Sequence, residues 1–324
     1  MRTITLEEHF ATRAFLDGPG QHAAGQDELT KRLCDLDELR IGEMDAAGID
    51  VQVLSLTAPG TEQLDPADAR HWARTVNDHL ADAVRRHAGR FAGFAALPIA
   101  DPAAAADELS RVVETHGFVG AMVNGHSRGR YLDDEHFWPV LARAEQLGVP
   151  LYLHPTPPPR PVVEASYTGN FPDAVSAALA APAWGWHIET ATHVLRLVLA
   201  GVFDRFPRLQ VVIGHMGEGL PFMLPRLKRV FSGSAMSPRT GLDRDVVDYL
   251  RQNVHYTFSG FNFEPNFAML REQVGVERIV LSADYPYQSM AEARQFLDDL
   301  PLDAGDRERI ASGNAEALLG PAVA

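Results

Sequence analysis

Four short stretches of this chain end an apolar run with side chains that bind metals or move protons: "LEEH" from Leu6, "LYLHP" from Leu151, "VVIGHMGEG" from Val211 and "VLSADYP" from Val280. Glu7 and His9 are two apart, so on a strand they point to one side and Glu8 to the other. With His154 and Asp284 they make two imidazoles and two carboxylates. That mixed N/O donor set suits one divalent ion (zinc, manganese, iron or magnesium) and leaves positions open for substrate or water. His215 and Glu218 lie three apart at what reads as the start of a helix, "HMGEGLPFMLPRLKR", where one helical face brings them together. A carboxylate beside an imidazole orients it and favours its protonated form.

Each of these residues alone has an ordinary explanation. A strand-end histidine is commonly a structural hydrogen-bonding group, two adjacent glutamates are commonly solvated, and Asp284 could cap the last helix. The metal-site reading rests on their coincidence at the ends of several strands. The remaining histidines, including His187 and His193 in a helical stretch, read as structural or surface.

The elements that must position these groups follow from apolar runs at 2–6, 51–56, 91–97, 120–123, 150–153, 210–213, 254–258 and 278–281. Runs such as "VQVLSL" and "LQVVIG" are near-continuously apolar rather than alternating, as in strands buried on both faces. Between them lie helical stretches with sensible ends. Asp65 precedes Pro66, Asp101 precedes Pro102 with Gly117 at the far end, and "ETATHVLRLVLAGVFDRFP" stops at Pro207. Strands alternating with helices imply a parallel sheet, and eight of them imply an α/β fold of the (β/α)8 TIM-barrel type, with extra helices and loop insertions at the C-terminal face. We expect one barrel domain over residues 1–324. The Pro-rich 154–163 stretch reads as a loop at the barrel mouth and 231–243 as an insertion. In such barrels the chemistry sits at the C-terminal ends of the strands, where all four stretches fall.

Composition narrows the function. Asp and Glu number 43 against 29 Lys and Arg, a net charge of −14, so the bulk field repels nucleic acid and anionic membranes. An anionic small substrate would then need local cations or a metal. Cys34 is the only cysteine, which excludes an intrachain disulfide framework and a cysteine-rich zinc site. With no basic-then-apolar N-terminal signal and no membrane-length apolar run, a cytoplasmic enzyme is expected.

The stretches "LEEHFA", "LSLTAPG", "FAALPIADP", "GFVGAMVNG", "PLYLHP", "ETATHVLRLVLAGVFDRFPRL", "IGHMGEGLPFMLPR" and "SADYPY" resemble the decarboxylase branch of the amidohydrolase superfamily. That branch holds aminocarboxymuconate-semialdehyde decarboxylase and, more similar, the non-oxidative hydroxybenzoate decarboxylases acting on 2,6- or 2,3-dihydroxybenzoate. The resemblance implies one divalent metal (Zn, Mn or Mg) on Glu7, His9, His154 and Asp284, no organic cofactor, and a homodimer or homotetramer. It also implies His215 and Glu218 as a second functional pair. Many superfamily members begin with His-x-His; Glu7-x-His9 stands here, as in the hydroxybenzoate branch, and no lysine ends a strand to bridge two metals.

By this resemblance Asp284 donates a proton to the ring carbon of a small aromatic carboxylate before carbon dioxide leaves. A divalent cation favours the ionised form of a carboxylate beside it, so Asp284 must take that proton from the substrate or from His215. Expected substrate contacts are Asn124 at the end of the fourth strand and Arg226, reaching into a neighbouring subunit. Phe10, Trp184, Tyr285 and Tyr287 are expected pocket walls. Two other readings use the same residues: a metal-dependent hydrolase such as a lactonase, with Asp284 activating water, and a non-catalytic scaffold, for which the complete ligand set argues poorly.

Overall fold

The structure is a computed structural model that describes residues 1–21, 27–233 and 235–323; Ser234, within the 231–243 insertion, lies outside them. Eight strands pair in chain order, all parallel: β1 (Ile4–Phe10), β2 (Val51–Leu56), β3 (Phe91–Ala96), β4 (Gly120–Asn124), β5 (Leu151–His154), β6 (Val211–Ile213), β7 (Val254–Thr257) and β8 (Ile279–Val280). β8 returns to β1 through a parallel bridge of Leu6 with Ser282, and His9 N donates to Tyr285 O at 2.7 Å. The result is the eight-stranded barrel, wrapped by helices on its outer face.

Strand periodicity divides the apolar residues between two cores. Ile4, Leu6, Val53, Phe94, Met122, Tyr152, Val212 and Val280 fill the barrel interior. Their neighbours Leu54, Leu151, Leu153, Val211, Ile213 and Ile279 face outward against the helices. Both faces are buried, which is why the strands read as near-continuous apolar runs. Leu319 and Val323 pack on the interior cluster, and Arg2 donates to Val323 O at 2.6 Å near the start of β1.

The two Asp-Pro helix starts behave differently. Asp101 accepts from Ala104 N at 3.2 Å at the head of helix Pro102–His116, and Gly117 closes that helix at φ 69°. Asp65 precedes helix Pro66–Arg86 but makes no capping bond; its carboxylate pairs with Arg128 at 2.8 Å. The Pro-rich stretch after β5 leads into two short exposed helices, Arg160–Ser166 and Asp173–Ala180, and then into helix Gly185–Leu199.

β1 departs from a regular strand, and the departure makes the site. Ile4 and Leu6 point into the barrel, so strict alternation would send Glu8 and Phe10 inward and Glu7 and His9 out. The register with β2 slips between Thr5 and Glu8, and Glu7 takes φ 65°. This bulge reverses the phase: Leu6, Glu7 and His9 face inward, while Glu8 and Phe10 turn to the outer layer.

Candidate metal and proton-transfer site

Glu7, His9, His154 and Asp284 converge at the C-terminal end of the barrel, with one ligand atom from each lying within 4.8 Å of the others. His9 Nε2 is 3.2 Å from Asp284 Oδ1, and His154 Nε2 is 3.5 Å from Glu7 Oε1. All four residues are buried.

The donor set fits a divalent cation. Glu7 Oε1 and His9 Nε2 are buried and have no hydrogen-bond partner, an arrangement that is costly unless something else occupies the space between them. Burial, with His9 and His215 nearby, holds His154 well below the usual imidazole range, so it offers a lone pair rather than a charge. Burial pushes Glu7 up against the pull of His215. The other oxygen, Oε2, is fully engaged by the hydroxyls of Tyr152 and Ser259, with Thr257 Oγ1 at 3.4 Å. Those hydroxyls form a floor that fixes the Glu7 carboxylate from below.

Glu8, turned outward by the bulge, reaches across to the end of β8. Its Oε1 accepts from Ala283 N at 2.9 Å and its Oε2 from Tyr285 N at 3.2 Å, so the carboxylate brackets Asp284, which sits at φ 66°. Burial pushes Glu8 up to about 8 against these bonds and Arg40. Arg40, itself buried, donates to His9 O at 2.6 Å and to Gln52 Oε1 at 3.3 Å. The adjacent glutamates of β1 therefore serve different strands: one faces the cluster and the other holds the segment that carries Asp284.

His215 and Glu218 do not share a helical face. His215, Met216 and Glu218 have φ of 52°, 54° and 56°, a left-handed turn, and the helix begins only at Leu220. The turn still closes the pair, His215 Nδ1 lying 2.8 Å from Glu218 Oε1. Burial alone would depress His215, but Glu218 and Glu7 outweigh it and push it up to about 10. Burial would likewise raise Glu218, and His215 and His187 outweigh it, holding it below its usual range.

A cavity of about 760 Å³ opens beside the cluster, its wall including His154, His215, Asp284, Trp186, Pro182 and Tyr287. Tyr287 packs edge-on against His9 at 5.6 Å and pairs with Thr57 Oγ1 at 2.6 Å. Several sequence-based expectations are corrected. Phe10 is in the outer core, stacked on His79, because the bulge turns it away. Trp184 is 54% exposed, and Trp186 takes the wall position instead. Tyr285 lies under the Arg40 guanidinium at 4.6 Å, outside the cavity. Asn124 is buried beside Glu62, whose Oε1 accepts from Asn124 N at 2.9 Å, and does not line the cavity. Arg226, expected to reach into a neighbouring subunit, is exposed on helix Leu220–Phe231 and is not part of its own chain's cavity, which leaves that expectation as it stood.

One residue that reads as structural in the sequence belongs to the site: His187 Nδ1 lies 2.6 Å from Glu218 Oε2. His187, His215 and Glu218 would also satisfy a ligand count, but their close contacts are hydrogen bonds. Sequence spacing carries no signal for a contact across 31 residues.

A parallel (β/α)8 barrel with imidazoles and carboxylates gathered at its C-terminal mouth defines the class: a TIM barrel whose cluster suits a divalent cation. Within that class the chain belongs to the amidohydrolase family, whose description "Amidohydrolase" matches residues 9–320. It is 38% identical to gamma-resorcylate decarboxylase of Polaromonas sp. (strain JS666 / ATCC BAA-500), over 97% of each chain. The crystal structure of 2,6-dihydroxybenzoate decarboxylase complexed with 2,6-dihydroxybenzoate is 36% identical, with a TM-score of 0.91 covering 98% of this chain and 99% of that one. Dihydroxybenzoic acid decarboxylase from Polaromonas sp. JS666, with bound manganese and the inhibitor 2-nitroresorcinol, is 37% identical with a TM-score of 0.90, covering 98% and 96%.

Proposed function

We propose that this chain is a divalent-metal-dependent, non-oxidative decarboxylase of a hydroxylated benzoate, 2,6-dihydroxybenzoate first and 2,3-dihydroxybenzoate second. The observation that carries this reading is the full-length likeness to gamma-resorcylate decarboxylases. The site agrees with it chemically. Glu7, His9, His154 and Asp284 are the residues that would hold the cation, with manganese, zinc and magnesium all compatible with the donor set. When bound, that ion supplies Lewis acidity and an anchor for the substrate's carboxylate and neighbouring ring oxygen.

The protein's own groups account for the remaining chemistry. Asp284, on the cavity wall, delivers a proton to the ring carbon that bears the carboxylate. The electron pair of the breaking C–C bond returns to the ring as carbon dioxide leaves. His215 spends its Nδ1 proton on Glu218, which leaves Nε2 for the substrate or for returning a proton to Asp284. Trp186 and Tyr287 wall the aromatic ring and keep water away from it. In the homodimer or homotetramer that this reading expects, the exposed Arg226 is available to a neighbouring subunit's cavity.

The test is a panel of ortho-hydroxybenzoates and lactones offered to metal-loaded protein, followed by ultraviolet absorbance and carbon dioxide release with a chelator control. Chelator-sensitive carbon dioxide release from a dihydroxybenzoate is the expected result. Lactone opening without carbon dioxide would make the protein a hydrolase with Asp284 as general base.

A further inference from the structure

His187 is the third residue of helix Gly185–Leu199, and its side chain is 12% exposed. Its Nδ1 contacts Glu218 Oε2 at 2.6 Å, while His215 holds the opposite oxygen of that carboxylate at 2.8 Å. Two imidazoles, 4.7 Å apart, thus clamp one buried carboxylate, and Phe261 packs edge-on against both.

One contact of the other ring nitrogen selects a tautomer. Trp186 Nε1 donates to His187 Nε2 at 3.0 Å, and an indole N–H can only donate. His187 Nε2 therefore carries no proton in this arrangement, and Nδ1 carries the one given to Glu218. Pro182 O also lies 3.1 Å from Nε2; since a carbonyl only accepts, this contact and the indole bond cannot both be hydrogen bonds at once. Trp186 walls the cavity on one side of this chain, and His215 faces the cavity at its other end.

We propose that His187 is a positioning residue that ties two parts of the site together: through Nδ1 it holds Glu218, and so the ring of His215; through Nε2 it holds the indole of Trp186 against the substrate ring. The two bonds serve different steps. Fixing His215 matters to proton handling in the transition state, whereas fixing Trp186 matters to substrate binding, so their losses fall on different kinetic constants. A residue that only stabilised the helix would not separate them.

Two conservative variants divide the roles, because an asparagine amide falls near the imidazole Nδ1 and a glutamine amide near Nε2. H187Q keeps an acceptor for Trp186 and removes the donor to Glu218, so kcat falls about tenfold or more, the usual cost of one bond to a charged group, with little change in KM. H187N keeps the donor and removes the acceptor, so the effect falls mainly on KM. Metal content stays at the wild-type level in both, since His187 is not among the four cluster residues.

The kinetic arm rests on the decarboxylase reading; a second arm does not. A histidine-selective 15N spectrum of the metal-loaded wild-type protein should show a His187 ring protonated at Nδ1 and bare at Nε2, assigned by its disappearance in H187N. An Nε2–H tautomer overturns the inference, as does a parallel fall of kcat and KM effects in both variants, or kinetic constants within twofold of wild type in both. If the wild-type protein turns over no hydroxybenzoate, the decarboxylase reading fails and the tautomer alone decides this one.

Discussion

Replacing Glu8 by alanine should weaken metal binding although Glu8 is not a candidate ligand. Its carboxylate accepts from Ala283 N at 2.9 Å and Tyr285 N at 3.2 Å, the amides on either side of Asp284. Leaving a buried N–H unpaired costs about 1–3 kcal/mol, so the two together cost about 2–6 kcal/mol of folding stability. Asp284 is held at φ 66°, a conformation that costs about 1–3 kcal/mol and persists only where its surroundings enforce it. Freed of the bracket, the segment relaxes and the Asp284 carboxylate leaves the position facing His9. Loss of such a supporting bond typically lowers metal affinity about 10–100-fold. Glu8→Gln keeps one acceptor but sets an NH2 group against the other amide, so its effect has the same sign and smaller size. The assay is paired: urea unfolding of the metal-free protein, and manganese titration of the same variants. A stability loss with manganese affinity within twofold of wild type would refute the positioning argument and leave Glu8 a purely structural residue.

Three further outcomes follow from particular contacts. Asp284→Asn should retain a folded barrel by circular dichroism yet lose turnover, because an amide has no acidic proton to deliver to the ring carbon; substantial residual decarboxylation would remove Asp284 from that role. A Cβ on Gly214 would stand 2.5 Å from Glu7 Oε2 and 2.9 Å from Ser259 Oγ, so Gly214→Ala should displace the Glu7 carboxylate and lower metal content measured by atomic emission. His255, buried and accepting from Arg278 at 3.0 Å, is held down to about 3 against 6.5 unfolded. The unfolded chain alone gains that proton below pH 6.5, so wild-type stability carries a penalty that grows as pH falls through that window. His255→Gln escapes the penalty: its deficit relative to wild type should shrink by about 2 kcal/mol between pH 7 and pH 5 in urea unfolding, about 1.4 kcal/mol per pH unit. An unchanged deficit would mean that His255 does not titrate as its contacts imply.

The barrel is legible in the sequence because strands buried on both faces leave near-continuous apolar runs, and the cluster residues are legible because each ends such a run. What escapes is whatever depends on backbone outside the regular regions. Ile4 and Leu6 alternate in phase with Glu8, and nothing local announces the left-handed Glu7 that reverses the phase and sends Phe10 to the outer core. "HMGEG" carries helix-like spacing, yet all five of its residues take positive φ, in a left-handed turn that closes the same pair by another route. Trp184 and Trp186 are indistinguishable by type, and only the folded chain shows Trp184 exposed and Trp186 on the cavity wall. His187 meets Glu218 through tertiary packing between the helix after β5 and the turn after β6, a contact that no spacing rule contains.

The most direct measurement is turnover of 2,6-dihydroxybenzoate in deuterated water by manganese-loaded protein, with the product read by proton NMR and released carbon dioxide counted. Ring-carbon protonation requires one deuterium at the position between the two hydroxyls for each carbon dioxide released, and neither product after chelation. Protein that retains its metal, releases no carbon dioxide from any ortho-hydroxybenzoate and instead incorporates solvent oxygen into an opened lactone would contradict the account.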